Sequence, residues 1–300
     1  MYINELYDKL PLLSAETYTY ISRDGDCHTE SEPVLTEHIL DVYLNDRLTM
    51  KLVCIPQYLT ELVLGRLLTE GILEDASDVE QIYICEHGLR ARVILCGNKG
   101  ENKTLQATVA DSHPQAGRVA LDGGASREPF TELTPSCCTG NHILNDYFLT
   151  GKPVKPVTPI SWKAEQVFDL ADRFHAGMPL HGQTWATHSC FLAKDGQLLF
   201  QCEDIGRHNA LDKAIGYALR HDIPLTECIV YSSGRIPTDM AMKAIRAGIP
   251  ILASKASPTA EAIALAKEYG LTLVCAARRD RMKLFAGTKP EVRSEEHTSE

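Results

Sequence analysis

Apolar residues in the first half of the chain recur at every second position, then at helical spacing, then at every second position again, and each change of period marks an element. HILDVYLN (38–45) and RLTMKLVCI (47–55) alternate around Asn45 and Asp46, which predicts two strands joined by a turn. Leu59, Leu62, Val63 and Leu67 fall on one helical face and predict a helix from about Gln57 to Glu70 that stops at Gly71. VEQIYICE and LRARVILC predict two further strands around His87 and Gly88, so this part reads as a small ββαββ roll. Residues 97–142 break the pattern: they are polar and glycine-bearing, and so long an irregular stretch points to function or mobility rather than connection alone.

GKPVKPVTPI (151–160) places proline at every third position, which forbids a continuous helix and predicts an extended connector. Beyond it a helix is predicted around Ala164 to Ala176, then a hairpin in which HSCFLAK and QLLFQCE flank Asp195 and Gly196. NALDKAIGYALRH is helical by its apolar spacing. The pattern then alternates: strand CIVYSS, helix TDMAMKAIRA closed by Gly248, strand PILASK, helix PTAEAIALAKEY closed by Gly270, strand LTLVCA. Such repetition implies parallel strands with right-handed crossovers. Thr238 and Ser257 stand at N-cap positions, with Pro258 first in its helix. TKPEVRSEEHTSE, from Thr288, lacks periodicity and is expected to be disordered.

The expected division is an N-terminal extension (1–30), an α+β domain with a cysteine loop (31–150), the proline-rich linker (151–160), an α/β domain (161–287) and the tail (288–300). Three hundred residues, 44% hydrophobic, suffice for two cores. A net charge of −10 without a long Lys/Arg run argues against general nucleic-acid binding. The absence of a long apolar run argues against a membrane span, and the start MYINELYDKLPLL lacks the regions of a signal peptide, so a cytoplasmic location is expected. The ten cysteines are scattered, with neither scaffold density nor repeated CxxC spacing, which fits reduced thiols.

Candidate chemistry follows from the parallel strands, because ligands of open sheets bind beyond the strands' carboxyl ends. Those ends carry Ser232, Ser233, Gly234 and Arg235, then Ser254, Lys255 and Ser257, then Arg278, Arg279 and Arg281. Hydroxyls, a glycine that permits close approach and several guanidinium groups suit phosphate or pyrophosphate. Glu203, Asp204, Arg207, His208 and Asn209 form a polar cluster that serves either as cap and internal salt bridge or as ligand contact. His188 either reaches the same cleft or is a hydrogen-bonded buried histidine. Cys137 and Cys138 occupy a polar segment, where a thiol either stays inert or becomes a reactive thiolate, whereas Cys85, Cys96, Cys190, Cys228 and Cys275 lie in strand patterns typical of small core residues.

EDIGRHNALDKAIG, SSGR, KAIRAGIPILASKASPTA and GLTLVCAARRDR closely resemble the FdhD family of formate dehydrogenase accessory proteins, strongly over residues 160–285 and more weakly over 35–150. The resemblance implies a sulfurtransferase that takes persulfide sulfur from a cysteine desulfurase and passes it to the molybdenum bis(molybdopterin guanine dinucleotide) cofactor of a formate dehydrogenase. It implies an α/β fold with a cytidine-deaminase-like C-terminal domain and a smaller β-grasp-like N-terminal roll, and it allows a homodimer. The persulfide cysteine maps to Cys137 in PSCCTG, with Cys138 the second choice, and the cofactor-binding stretch to Ala276, Ala277, Arg278, Arg279, Asp280 and Arg281. The chain departs from the family in its adjacent cysteines, where many members carry CxxC, and in Trp185, where a small residue is usual. A noncatalytic chaperone of the molybdenum cofactor is the alternative. A zinc deaminase is a third reading, but no HxE followed by PCxxC occurs, so no stoichiometric zinc is expected.

Overall fold

The computed structural model describes residues 1–7, 9–97, 132–134 and 154–291. The first sheet has the order β1-β6-β7-β4-β5-β8. Its antiparallel pairs are the two hairpins read from the sequence, β4 (His38–Leu44) with β5 (Arg47–Cys54) and β6 (Val79–Ile84) with β7 (Arg90–Leu95). Asn45 and Asp46 both adopt positive φ, the backbone of a tight two-residue turn matched to strand twist. The parallel contacts are β4 to β7, β1 (Tyr2–Glu5) to β6, and β8 (Glu132–Thr134) to β5. Helix α1 (Leu59–Thr69) is buried along its whole length.

The second sheet has the order β10-β9-β11-β12-β13-β14. β9 (His188–Lys194) and β10 (Gln197–Asp204) form the expected hairpin, and β11 (Cys228–Ser232), β12 (Ile251–Ser254) and β13 (Thr272–Cys275) run parallel. Alternation divides these strands between two cores. Cys190, Leu192, Val230, Leu252 and Leu273 face α4 (Arg207–Arg220) and the rest of the main core; Phe191, Ile229, Tyr231, Ile251 and Val274 face α2 (Ala164–His175). Burial on both faces is why these strands read as continuous apolar runs.

Several features differ from expectation. β2 (Leu13–Ile21) and β3 (Cys27–Leu35) form a separate hairpin, and β14 (Lys283–Ala286) adds an antiparallel edge; the sequence reading had none of the three. Ser257 and Pro258 do not open a helix: Pro258 bridges to Ile236, and α6 (Ala260–Glu268) is capped by Thr259, whose Oγ1 accepts from Ala262 N. α5 (Thr238–Arg246) begins at Thr238 itself, with Pro237 at the cap. Thr288 to Glu291 are docked rather than without structure, since Thr288 O accepts from Trp162 Nε1 and Glu291 N donates to Trp162 O.

α1 crosses α4 at backbone distance. A Cβ added to Gly65 would lie 1.8 Å from Asp212 O, and one on Gly216 1.8 Å from Glu61 O. Two buried ion pairs stand beside this crossing. Lys243 Nζ donates to Asp212 Oδ2 at 2.6 Å and to Thr69 Oγ1 at 2.9 Å; Lys213 Nζ lies 2.6 Å from Asp204 Oδ2 and donates to Ile55 O. Each joins the first sheet's side of the molecule to the second's.

Candidate functional site

The loops after β11, β12 and β13 are knitted together at the carboxyl end of the second sheet. Lys255 N donates to Ser232 O, Ala276 N to Ala256 O, and Ala277 N to Ser254 O. Ser232 and Ser254 are buried braces: Ser232 Oγ accepts from Gly234 N, while Ser254 Oγ donates to Gly234 O at 2.6 Å and accepts from Ala256 N. Packing also calls for glycine at 234, because an added Cβ would meet Arg207 Cβ and Cδ at 2.8 Å.

These loops wall a cavity of about 400 Å³ together with α2, the end of α3 (Pro179–Thr184) and the start of β9. Phe174, His181, Trp185, Thr187, His188, Ser233, Lys255 and Arg278 line it. His188 therefore reaches the cleft, its Nδ1 3.2 Å from Ser233 Oγ, which also accepts from Ser189 N. Burial, followed by the charges of Arg207, His181, His208 and Arg235, pushes the His188 pKa below the ordinary histidine value. Lys255 Nζ sits 4.8 Å from the Phe174 ring centroid. Among the described residues neither Lys255 nor Arg278 has a carboxylate partner, which leaves two cations available to an anion.

The stretch 276–281 is divided. Arg278 enters the cavity, but Arg279 Nε is bound to Asp172 Oδ1 at 2.9 Å on the surface, and Arg281 is exposed, 3.8 Å from Asp280. Ala276 holds positive φ, and the Ala277 carbonyl accepts from Tyr231 OH. Ser257 and Arg235 are exposed and outside the cavity lining.

Four members of the polar cluster, Glu203, Asp204, His208 and Asn209, are internal architecture, while the half-buried Arg207 acts on His188 through its charge. Glu203 Oε1 accepts from His181 N and Thr187 Oγ1, and Oε2 from Leu180 N, so one buried carboxylate pins α3 and the loop after it. Asp204 pairs with Lys213, Asn209 Nδ2 donates to Val53 O and Asp204 Oδ1, and His208 Nε2 lies 2.5 Å from Asp239 Oδ2. The sequence reading missed Phe174 and His181 as lining residues; α3 gave no signal because six residues are too few for periodicity. Cys137 and Cys138 lie outside the described residues. Cys190, Cys202, Cys228 and Cys275 are buried core thiols, and burial raises them, Cys228 to about 11 and Cys202 and Cys275 to about 12. Among the described residues no helix is long and apolar enough to cross a membrane.

A mixed α/β protein with a cation-lined cavity beyond a parallel sheet is the class that fold and site define. Within it, the chain belongs to the FdhD/NarQ family, whose profile matches residues 35–291. It is 32% identical over 268 residues to the sulfur carrier protein FdhD of Streptomyces coelicolor, covering 88% of this chain and 91% of that one. It is 28% identical over 257 residues to the Listeria innocua protein of the same name, covering 85% and 89%. Its structure is similar, with a TM-score of 0.69 and 25% identity over 92% of this chain and 98% of the other, to a "putative formate dehydrogenase accessory protein" from Desulfotalea psychrophila.

Proposed function

We propose that this chain is a sulfur carrier required for formate dehydrogenase activity, moving sulfur from a cysteine desulfurase to the molybdenum bis(molybdopterin guanine dinucleotide) cofactor before insertion. The observation that carries the reading is the match to sulfur carrier proteins along nearly the whole chain. On this reading the second sheet and its helices are the cytidine-deaminase-like domain, and the first sheet with α1 is the β-grasp-like roll. The Cys137 thiolate attacks the outer sulfur of the desulfurase persulfide, the desulfurase thiolate leaves, and Cys137 becomes Cys–S–SH. Transfer of that outer sulfur to molybdenum, which is cargo here, breaks the S–S bond, releases the Cys137 thiolate and reduces the sulfur to sulfide with two electrons from a thiol reductant or from the molybdenum itself.

Arg278 and Lys255 suit the diphosphate of a guanosine end of that cargo, and Ser233 adds a hydroxyl. Of the expected stretch 276–281, the reading assigns direct contact to Arg278; Ala276, Ala277, Asp280 and its neighbours Arg279 and Arg281 shape or flank the loop. The test is complementation: in a bacterium lacking its own family member, this chain should restore formate dehydrogenase activity at unchanged enzyme level. Soluble, abundant chain with no restored activity would contradict the proposal.

A further inference from the structure

Trp185 is 80% exposed, more than any other large apolar side chain among the described residues, yet its backbone is held in the left-handed region at φ 54°. That conformation disfavours a residue with a side chain, and the end of a helix is where glycine ordinarily takes it. Burial does not explain the indole, whose one aromatic neighbour among the described residues is His181, edge-on at 5.4 Å. The loop that carries it is nevertheless rigidly tied. Trp185 N donates to His181 O, His181 Nδ1 lies 2.9 Å from Thr187 O, and the residues on both sides are fastened to the buried Glu203 carboxylate. An exposed aromatic face on a tied backbone thus stands on the wall of a cavity that Arg278 and Lys255 also line.

We infer that Trp185 is a stacking platform for a planar heterocycle, a purine or a pterin, whose phosphates are held by Arg278 and Lys255. The inference rests on the nucleotide reading of the cavity and adds the residue that selects a base-bearing ligand over a bare phosphate. Stacking on an indole face is tolerant of base identity, so Trp185 sets affinity for the ring while leaving the choice between purines to other contacts.

The chain contains two tryptophans, and Trp162 is buried with its Nε1 bonded to Thr288 O, so emission changes on ligand binding report Trp185. The full-length protein, W185F and W185A are titrated with GDP and with pyrophosphate, by calorimetry and by fluorescence. GDP should quench the wild type and leave W185F unchanged. W185A should bind GDP roughly fivefold to a hundredfold more weakly, W185F should retain most of the affinity, and pyrophosphate should bind all three alike. Wild type that binds GDP without a change in emission, and W185A that binds it equally well, would overturn the platform and leave the phosphate site standing. Wild type that binds neither probe would overturn the site and the platform together.

Discussion

His188 is the residue whose charge state the cavity controls. Burial and the surrounding Arg207, His181, His208 and Arg235 lower its pKa, so the ring is neutral at pH 7. A bound phosphate favours the protonated ring and raises that pKa, so binding takes up a proton and tightens as pH falls through the pKa of the ring in the complex. H188N should lose this part of the pH dependence, and the difference between the two proteins separates the ring from the phosphate's own titration near pH 6. Titration calorimetry in two buffers of different ionisation enthalpy checks it; equal proton uptake by both proteins would contradict it. Arg278 and Arg281 should separate in the same way. R278A removes a cation from the cavity and should weaken GDP binding by roughly tenfold or more, whereas R281A, exposed and outside it, should change little. The sequence named both arginines because strand ends locate loops, and it could not say which side chains line the cavity. It likewise left Glu203, Asp204, His208 and Asn209 open between cap and ligand; the tertiary partners that decide the matter, such as Val53 and Ile55, lie about 150 residues away in the chain.

At the scale of elements, α1 and α4 touch through Gly65 and Gly216, where any Cβ would strike the facing backbone. G65A or G216A should therefore cost about 2 kcal/mol or more, because backbone cannot yield as a side chain does. Urea unfolding at equal expression measures the loss, and wild-type stability in either variant would contradict the packing. The elements themselves were legible where one periodicity dominated, as in the hairpins at Asn45 and Asp195 and the alternating strands and helices after residue 207. They were illegible where burial imposes no pattern. β2 and β3 are exposed on both faces, so Tyr18 and Tyr20 sit among Thr and Glu without an apolar face to mark a strand. β14 is a four-residue edge with a single buried residue, Ala286. Ser257-Pro258 has the local chemistry of a helix start, but pairing with Ile236 draws it into the knitted loops and moves the cap to Thr259.

For the molecule as a whole, the buried pairs at the α1–α4 crossing tie the two sheets together, and the two should unfold as one unit. K243M leaves Asp212 buried with its strongest partner gone and should cost about 3 to 5 kcal/mol. Because the pair touches Thr69 of α1, protection from hydrogen exchange should fall together in β4–β7 and in β9–β13. A loss confined to the second sheet would show that the halves unfold separately. The claim that the chain carries sulfur can be tested without any client. Purified protein is incubated with a cysteine desulfurase and cysteine, and its intact mass is measured, followed by digestion to locate the adduct. The account predicts one additional sulfur atom, on the peptide containing Cys137, absent in C137A and largely retained in C138A. Unmodified wild-type protein, or an adduct that persists in C137A, would contradict it.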